Sequence, residues 1–228
     1  MGIAYNPSVV TDGLVLALDA GNTKSYPGSG TSWTDLSGNS NTGTLTNGPT
    51  YSSFNGGSIV FDGSDDYVQN NSSVFDVGYG AFSVESFAYF DSSISNAFGG
   101  IFSSGSTGNI GIHLTQRTCW VGTSGILQGI GNNSTVNFPV NTWFHTVFTR
   151  SSDGTTLNLY LNGEKRFTPT VSTAVDCSFT DGVWGSRYTN NFSYMWGGKI
   201  ALGRFYTLEL TQEQVKQNFN ALRGRFGI

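Results

Sequence analysis

In the stretch 142–166, TWFHTVFTRSSDGTTLNLYLNGEKR, apolar and polar residues alternate, and glycine-bearing turns cut the pattern into short runs. Trp143, His145 and Val147 fall on one side of an extended chain, and Phe144, Thr146 and Phe148 on the other. Leu157, Leu159 and Leu161 form an unbroken apolar row opposite Asn158, Tyr160 and Asn162. Successive side chains of a strand point to opposite faces, so a period of two marks strands and does not serve a helix. Asp153-Gly154 and Asn162-Gly163 supply residues that tolerate the positive φ of tight hairpin turns. The spacing predicts a three-stranded meander with one face in a core.

The same period recurs along most of the chain. It runs through Gly13–Asp19, Ser58–Phe61, Tyr67-Val68, Ile110–Leu114 and Cys119–Gly122. In Phe82–Phe90 it puts Phe82, Val84, Ser86, Ala88 and Phe90 on one face, with Phe87 and Tyr89 beside Glu85 on the other. Between the runs lie many of the 31 glycines, about twice the usual share and without period, as many tight turns require. Only one helix is expected, over Leu210–Leu222. There Thr211 and Gln214 form a capping box, Val215, Phe219 and Leu222 make one apolar stripe, and Gly224 is the expected stop. Roughly fourteen short strands and one helix specify an all-β, two-sheet antiparallel sandwich of the jelly-roll type.

The 228 residues suit one domain spanning 1–228, with an N-terminal arm over 1–11 and a helix with a basic end over 210–223. Eleven basic and fifteen acidic residues give a net charge of −4, which excludes the basic footprint of a nucleic-acid binder. No apolar run approaches the ~20 residues that cross a bilayer, and Met1–Asn6 lack the features of an export signal. Charged residues are 11% of the chain against ~25% in ordinary soluble domains, so the surface must be built from Ser, Thr, Asn and Gly. Cys119 and Cys177 are too few for a disulfide framework, and buried thiols are the expectation.

Taken in order, several stretches resemble the concanavalin A-like, laminin G-like jelly roll. They are Gly13-Leu14-Val15-Leu16 to Asp19, the Trp33–Asn39 loop with Gly43-Thr44-Leu45, and Ser58–Gly63 with Asp66-Tyr67-Val68. Phe82–Glu85, Trp143–Val147, Leu159–Gly163 and Gly198-Lys199-Ile200 to Arg204-Phe205-Tyr206 complete the set. The resemblance implies two curved sheets packed face to face. It leaves the activity open, because the fold hosts lectins, glycosidases and structural modules. The dialect Gly-Leu-Val-Leu-Ala-Leu-Asp-Ala-Gly-Asn, running on to Tyr26-Pro27-Gly28-Ser29-Gly30-Thr31, is similar to virion structural proteins of marine bacteriophages. That likeness implies a structural role on the virion surface, as a capsid decoration or a tail-appendage module. It would dock on the major capsid protein or tail proteins, after synthesis in the host cytoplasm. The arm and the basic end Arg223-Gly224-Arg225-Phe226 are expected to reach neighbouring subunits, and a homo-oligomer is compatible with this.

The chemistry-bearing residues favour holding over cleaving. Glycosidases use two carboxyl groups flanking the scissile bond. The laminarinase-type members of the fold take theirs from a Glu-x-Asp-x-x-Glu strand, and none of Glu85, Glu164, Glu209 and Glu213 stands in that pattern. His113 and His145 sit mid-strand without triad spacing and are expected to be hydrogen-bonded sheet positions. No zinc spacing, nucleophile elbow or phosphate loop is present. No cofactor is expected beyond one structural calcium option. Asp62, Asp65 and Asp66 offer hard oxygens on a tight turn, and the competing reading is a solvated turn. Relatives often place an Asp where this chain has Ala201, which weakens the calcium reading.

The segment 179–197, FTDGVWGSRYTNNFSYMWG, is the candidate contact site. Its Trp184, Arg187, Tyr188, Tyr194 and Trp196 suit a glycan, a protein partner or simple packing over a sheet edge. Three roles thus stay open: virion structural protein, carbohydrate-binding lectin and, least favoured, glycoside hydrolase.

Overall fold

The computed structural model describes residues 7–94, 99–104, 110–113, 118–123, 126–130, 138–168, 174, 176–186 and 195–228. Its strands, numbered along the chain, begin with β1 (Leu14–Asp19), β2 (Ser32–Trp33), β3 (Gly43–Thr46), β4 (Thr50–Ser52), β5 (Ser58–Asp62) and β6 (Tyr67–Asn71). Next come β7 (Phe82–Phe90), β8 (Gly100–Ser104), β9 (Ile110–His113), β10 (Thr118–Thr123) and β11 (Ile126–Ile130). Last are β12 (Trp143–Arg150), β13 (Leu157–Leu161), β14 (Glu164–Phe167), β15 (Asp181–Trp184) and β16 (Gly197–Tyr206), followed by the helix α1 (Gln212–Phe226). The first sheet has the order β14-β13-β12-β7-β16-β5-β4, and the second β11-β10-β9-β8-β15-β6-β3-β2. All pairings are antiparallel, as the alternation requires. β16 is long enough to carry β5 against Gly197–Ile200 and β1 against Leu202–Tyr206.

The predicted meander is β12-β13-β14, and its faces fall as the alternation demands. Phe144, Phe148, Leu157, Leu159 and Leu161 join Phe82, Val84 and Ala88 of β7 in the core between the sheets. Phe75 and Phe82 meet Phe205 there, edge-on at 5.0 Å and stacked at 5.9 Å, and the second sheet adds Val68, Phe102 and Trp184. Each such ring contributes about 1.5–3 kcal/mol by leaving water. The loop after β2 is tied down by Asp35, whose carboxylate accepts from the backbone N–H groups of Ala17, Ser37 and Asn41 at 2.8, 2.8 and 2.9 Å.

A second apolar layer lies on the far side of the first sheet, under α1. Val147, Tyr160, Tyr206, Leu210 and Val215 form one cluster there; Phe87, Trp143, Ala201, Leu202, Phe219 and Phe226 form another. The helix opens on the expected box: Gln214 N–H donates to Thr211 Oγ1 at 3.3 Å, and Thr211 N–H donates to Gln214 Oε1 at 2.9 Å. It does not stop at Gly224. It continues through Phe226 and ends on the left-handed Gly227, at φ 70°. A mid-helix glycine costs about 1 kcal/mol, which the last turn offsets by stacking Phe226 on Phe87 at 4.6 Å.

Near the chain ends, Val10 and Arg225, which belong to segments expected to reach neighbouring subunits, make contacts within the chain's own fold. Val10 is buried in the cluster under α1. Arg225 pairs with Asp19 at 2.7 Å and donates to the carbonyls of Asn55 and Gly57, so the basic end lies against its own sandwich. Met1–Asn6 lie outside the described residues, and among the described ones no helix is long and apolar enough to cross a membrane.

Candidate functional site

The aromatic segment is not a single exposed patch. Trp184 and Trp196 are both 0% exposed and belong to the inter-sheet core. Trp184 lies flat against β16 because residue 203 is glycine; a Cβ there would sit 2.7 Å from the indole. Its Nε1 donates to buried Asn70 Oδ1 at 3.1 Å. Trp196 packs on Phe90 at 5.6 Å, and Gly99 approaches its backbone closely enough that a Cβ would lie 2.2 Å from its Cα. The two tryptophans therefore cannot hold a ligand, which corrects the expectation for them. Alternation alone did not distinguish an inward Trp from an outward one at the end of a strand. Arg187, Tyr188 and Tyr194 lie outside the described residues, as do the side chains of His113 and Cys119.

The acidic turn between β5 and β6 does bring its carboxyls together. One oxygen each from Asp62, Asp65 and Asp66 lie within 4.8 Å of one another. Two carboxylates already serve the turn: Asp62 Oδ1 accepts from Ser64 N–H at 2.8 Å and Asp66 Oδ2 from Asp62 N–H at 3.0 Å. Burial, reinforced by its two acidic neighbours, pushes Asp66 up to about 6. The remaining oxygens match the hardness calcium prefers, but a shell of 6–8 oxygens needs carbonyls or waters to complete it.

A third cluster escaped the sequence reading. Glu85 is 0% exposed on the outer face of the first sheet, beneath α1. Its Oε1 accepts from His145 Nε2 at 2.9 Å. Its Oε2 faces Arg204 Nη1 at 3.3 Å, Tyr206 OH at 3.0 Å and Asn218 Nδ2 at 2.9 Å. Burial alone would raise this carboxyl, but Arg204 and the donors from His145 and Tyr206 outweigh it and hold Glu85 near 2. The register explains the meeting: Arg204 lies directly opposite Glu85, while His145 is opposite Phe87, one diagonal away on the same face. His145 is thus a hydrogen-bonded sheet position, sealed between the rings of Phe87 and Phe219 at 4.6 and 5.7 Å. Only the strand order of the folded sheet could reveal its acidic partner.

Arg150, at the end of β12, was also not singled out. It is fully buried, donates to the carbonyls of Gly78 and Gly80 and lies over the Phe82 ring. Its Nη1 meets Cys177 Sγ at 2.9 Å, and burial pushes that thiol up to about 11 against the pull of the guanidinium. Cys177 is a buried thiol, as expected.

The outer face of the second sheet is chemically different. In register across β3, β6 and β15, Thr44 lies opposite Gln69, Thr46 opposite Tyr67, Asn71 opposite Asp181 and Gln69 opposite Val183. Val68 and Trp184 of these strands point into the core, so Thr44, Thr46, Tyr67, Gln69, Asn71 and Asp181 point away from it. Apart from buried Val183 they are half-buried or exposed. Hydroxyls, amides, one phenol ring and one carboxylate on a rigid sheet can match a ligand with many hydroxyl groups and an apolar C–H face.

Comparison with known proteins adds the context. Residues 62–216 match the laminin G-type profile of the concanavalin A-like lectin/glucanases superfamily. No curated protein matches the sequence. Domain 4 of AbnA, a GH43 extracellular arabinanase from Geobacillus stearothermophilus, solved in complex with arabinotriose, superposes with a TM-score of 0.68 at 18% identity, covering 90% of this chain and 97% of that one. The binding domain of Paraclostridial Mosquitocidal Protein 1 gives 0.70 at 15% identity, over 92% of this chain and 52% of that one. The binding domain of botulinum neurotoxin DC, in complex with rat synaptotagmin II, gives 0.69 at 16%, over 93% and 52%. The chain thus spans about half the length of those toxin binding domains. At such identities the likeness is one of fold.

Proposed function

This chain belongs to the concanavalin A-like lectin/glucanases superfamily, and from that premise we propose that it is a non-catalytic attachment module, a structural protein on the surface of a bacteriophage virion. One observation carries the non-catalytic part. Among the described residues the carboxylate–histidine pair Glu85–His145 is sealed beneath α1, whereas the solvent-facing strands of the second sheet present mainly hydroxyls and amides. A general acid must reach the proton-accepting atom of its substrate. Glu85 instead spends both its oxygens on internal donors. The virion part rests on the N-terminal dialect and on a charge-poor surface suited to close packing. Decoration of the capsid is favoured over a tail appendage. Mass spectrometry of particles of the phage encoding this chain tests it: hundreds of copies per particle fit the capsid, a few fit the tail, and none overturns the virion role.

The outer face of the second sheet favours a second, compatible reading, adhesion to a glycan. The solved fold neighbour bound to arabinotriose supports that reading. Titrating arabinotriose and a sialylated oligosaccharide should reveal binding that Tyr67→Ala and Gln69→Ala abolish with the melting temperature unchanged. Undiminished affinity in both variants would remove this surface from consideration. Release of reducing ends from laminarin or agar-type substrates would overturn the non-catalytic reading. A structural calcium ion held by Asp62, Asp65 and Asp66 remains the one cofactor proposed, and it requires calcium to raise the melting temperature of the intact protein.

A further inference from the structure

We propose that the cleft between α1 and the outer face of the first sheet is a peptide-binding site, filled here by the chain's own Ser8–Val10, and that in an assembly it receives the same segment of a second copy. Three side chains address the backbone of that segment. Gln217 Nε2 donates to the Ser8 carbonyl at 2.7 Å, and Val10 N–H donates to Asn218 Oδ1 at 2.7 Å. Tyr206 OH lies 3.3 Å from the Val10 carbonyl, although its proton goes first to the nearer, charged Glu85 at 3.0 Å. The Val10 side chain fills the apolar cluster of Val147, Tyr160, Tyr206, Leu210 and Val215. Such a site reads an extended chain by its main-chain atoms and one small apolar side chain.

The site is built before its occupant arrives. Asn218 is 0% exposed, and its amide nitrogen is fixed by Glu85 Oε2 at 2.9 Å and Tyr206 OH at 3.1 Å. That orientation aims Oδ1 at the incoming N–H. With the segment gone, Oδ1 loses the donor that satisfies it, so the fold selects for an occupant. The segment itself is separable. Residues 7–11 belong to neither sheet, and the link to β1 runs through exposed Thr11 and Asp12 to left-handed Gly13, at φ 67°. A hinge of that kind lets an element exchange between identical copies. A short tether gives the cis segment an effective concentration on the order of millimolar. Dilute chains therefore keep their own arms, whereas copies packed in an assembly compete on equal terms. The proposal does not depend on either partner named in the preceding subsection.

A complementation experiment decides it. Val10→Asp spoils the arm but leaves the site, and Asn218→Ala spoils the site but leaves the arm; Val10→Ala substitutes if the aspartate variant fails to fold. Unlabelled Asn218→Ala protein is titrated into isotope-labelled Val10→Asp protein, up to about 1 mM. The expected result is return of the Asn218 side-chain amide resonances to their wild-type positions, with a doubling of mass by light scattering. Unmoved resonances at the top of the titration overturn the proposal. So does an equal response to the unlabelled double variant, which has no intact arm to give.

Discussion

The two sheets of this protein are built from the same alternating strands, yet their outward faces have different fates. The first sheet's outer face is buried a second time, by α1 and by Val10, and carries Phe87, Val147 and Tyr160 around the charged pair Glu85–Arg204, with Phe219 of α1 packed over Phe87. The second sheet's outer face, across β3 and β6, keeps Thr44, Thr46, Gln69 and Asn71 in contact with water. A charge is tolerated in the dry layer because the Arg204 guanidinium and the donors of His145, Tyr206 and Asn218 surround it. Neutral hydrogen-bonding groups suffice on the wet one. One face therefore holds the fold together, and the other is available for contact.

The sharpest test of that contrast is Glu85→Ala. It leaves Arg204 buried without its carboxylate, and the expected loss is about 3–5 kcal/mol in urea unfolding. A loss below about 1 kcal/mol would mean that the layer under α1 is wetter than described.

Acid should next separate the buried carboxyl from the acidic turn. Glu85 is held near 2 against a usual 4.5, because Arg204, His145 and Tyr206 overcome the opposing effect of burial. A depressed folded pKa means that its stabilisation is complete above 4.5 and fades as pH falls toward 2. Asp66 has the opposite sign. Burial raises it to about 6 from 3.8, so the folded state takes up its proton first and gains stability as pH falls from 6 toward 4. As pH falls from neutral, stability should rise slightly and then fall. Asp66→Asn should erase the rise, and Glu85→Gln should flatten the fall.

A smaller effect tests how much α1 relies on its own cap. Thr211→Ala removes the acceptor for Gln214 N–H and should cost about 1 kcal/mol, because the packed stripe of Val215 and Phe219 still holds the helix. Smallest of all, Gln69→Ala on the open face should change stability by less than about 0.5 kcal/mol. A larger loss there would break the contrast, showing that the second sheet's outer face is covered after all.

Much of this fold could be read from the chain. Strand faces follow directly from period two in β7, β12 and β13, and the capping box placed the start of α1 at Thr211. The end of the helix was misread because Gly224 looks like a local stop, while Phe226 reaches packing partners from remote strands. The candidate site was less legible. Trp184 and Trp196 carry the residue types of a contact surface, and their burial depends on Gly203 and Gly99, which are distant in sequence. Glu85 and His145 stand 60 residues apart, and no spacing rule connects them.

Local chemistry, repeated along the chain, determined that this protein is an antiparallel sandwich with one capped helix, since side-chain direction and turn preference are properties of a few neighbouring residues. Tertiary structure alone decided which outer face would be covered, which rings would be buried and where Glu85 would find its donors. Those outcomes depend on strand order and on which remote segment reaches a face first, and alternation is the same whichever side meets water.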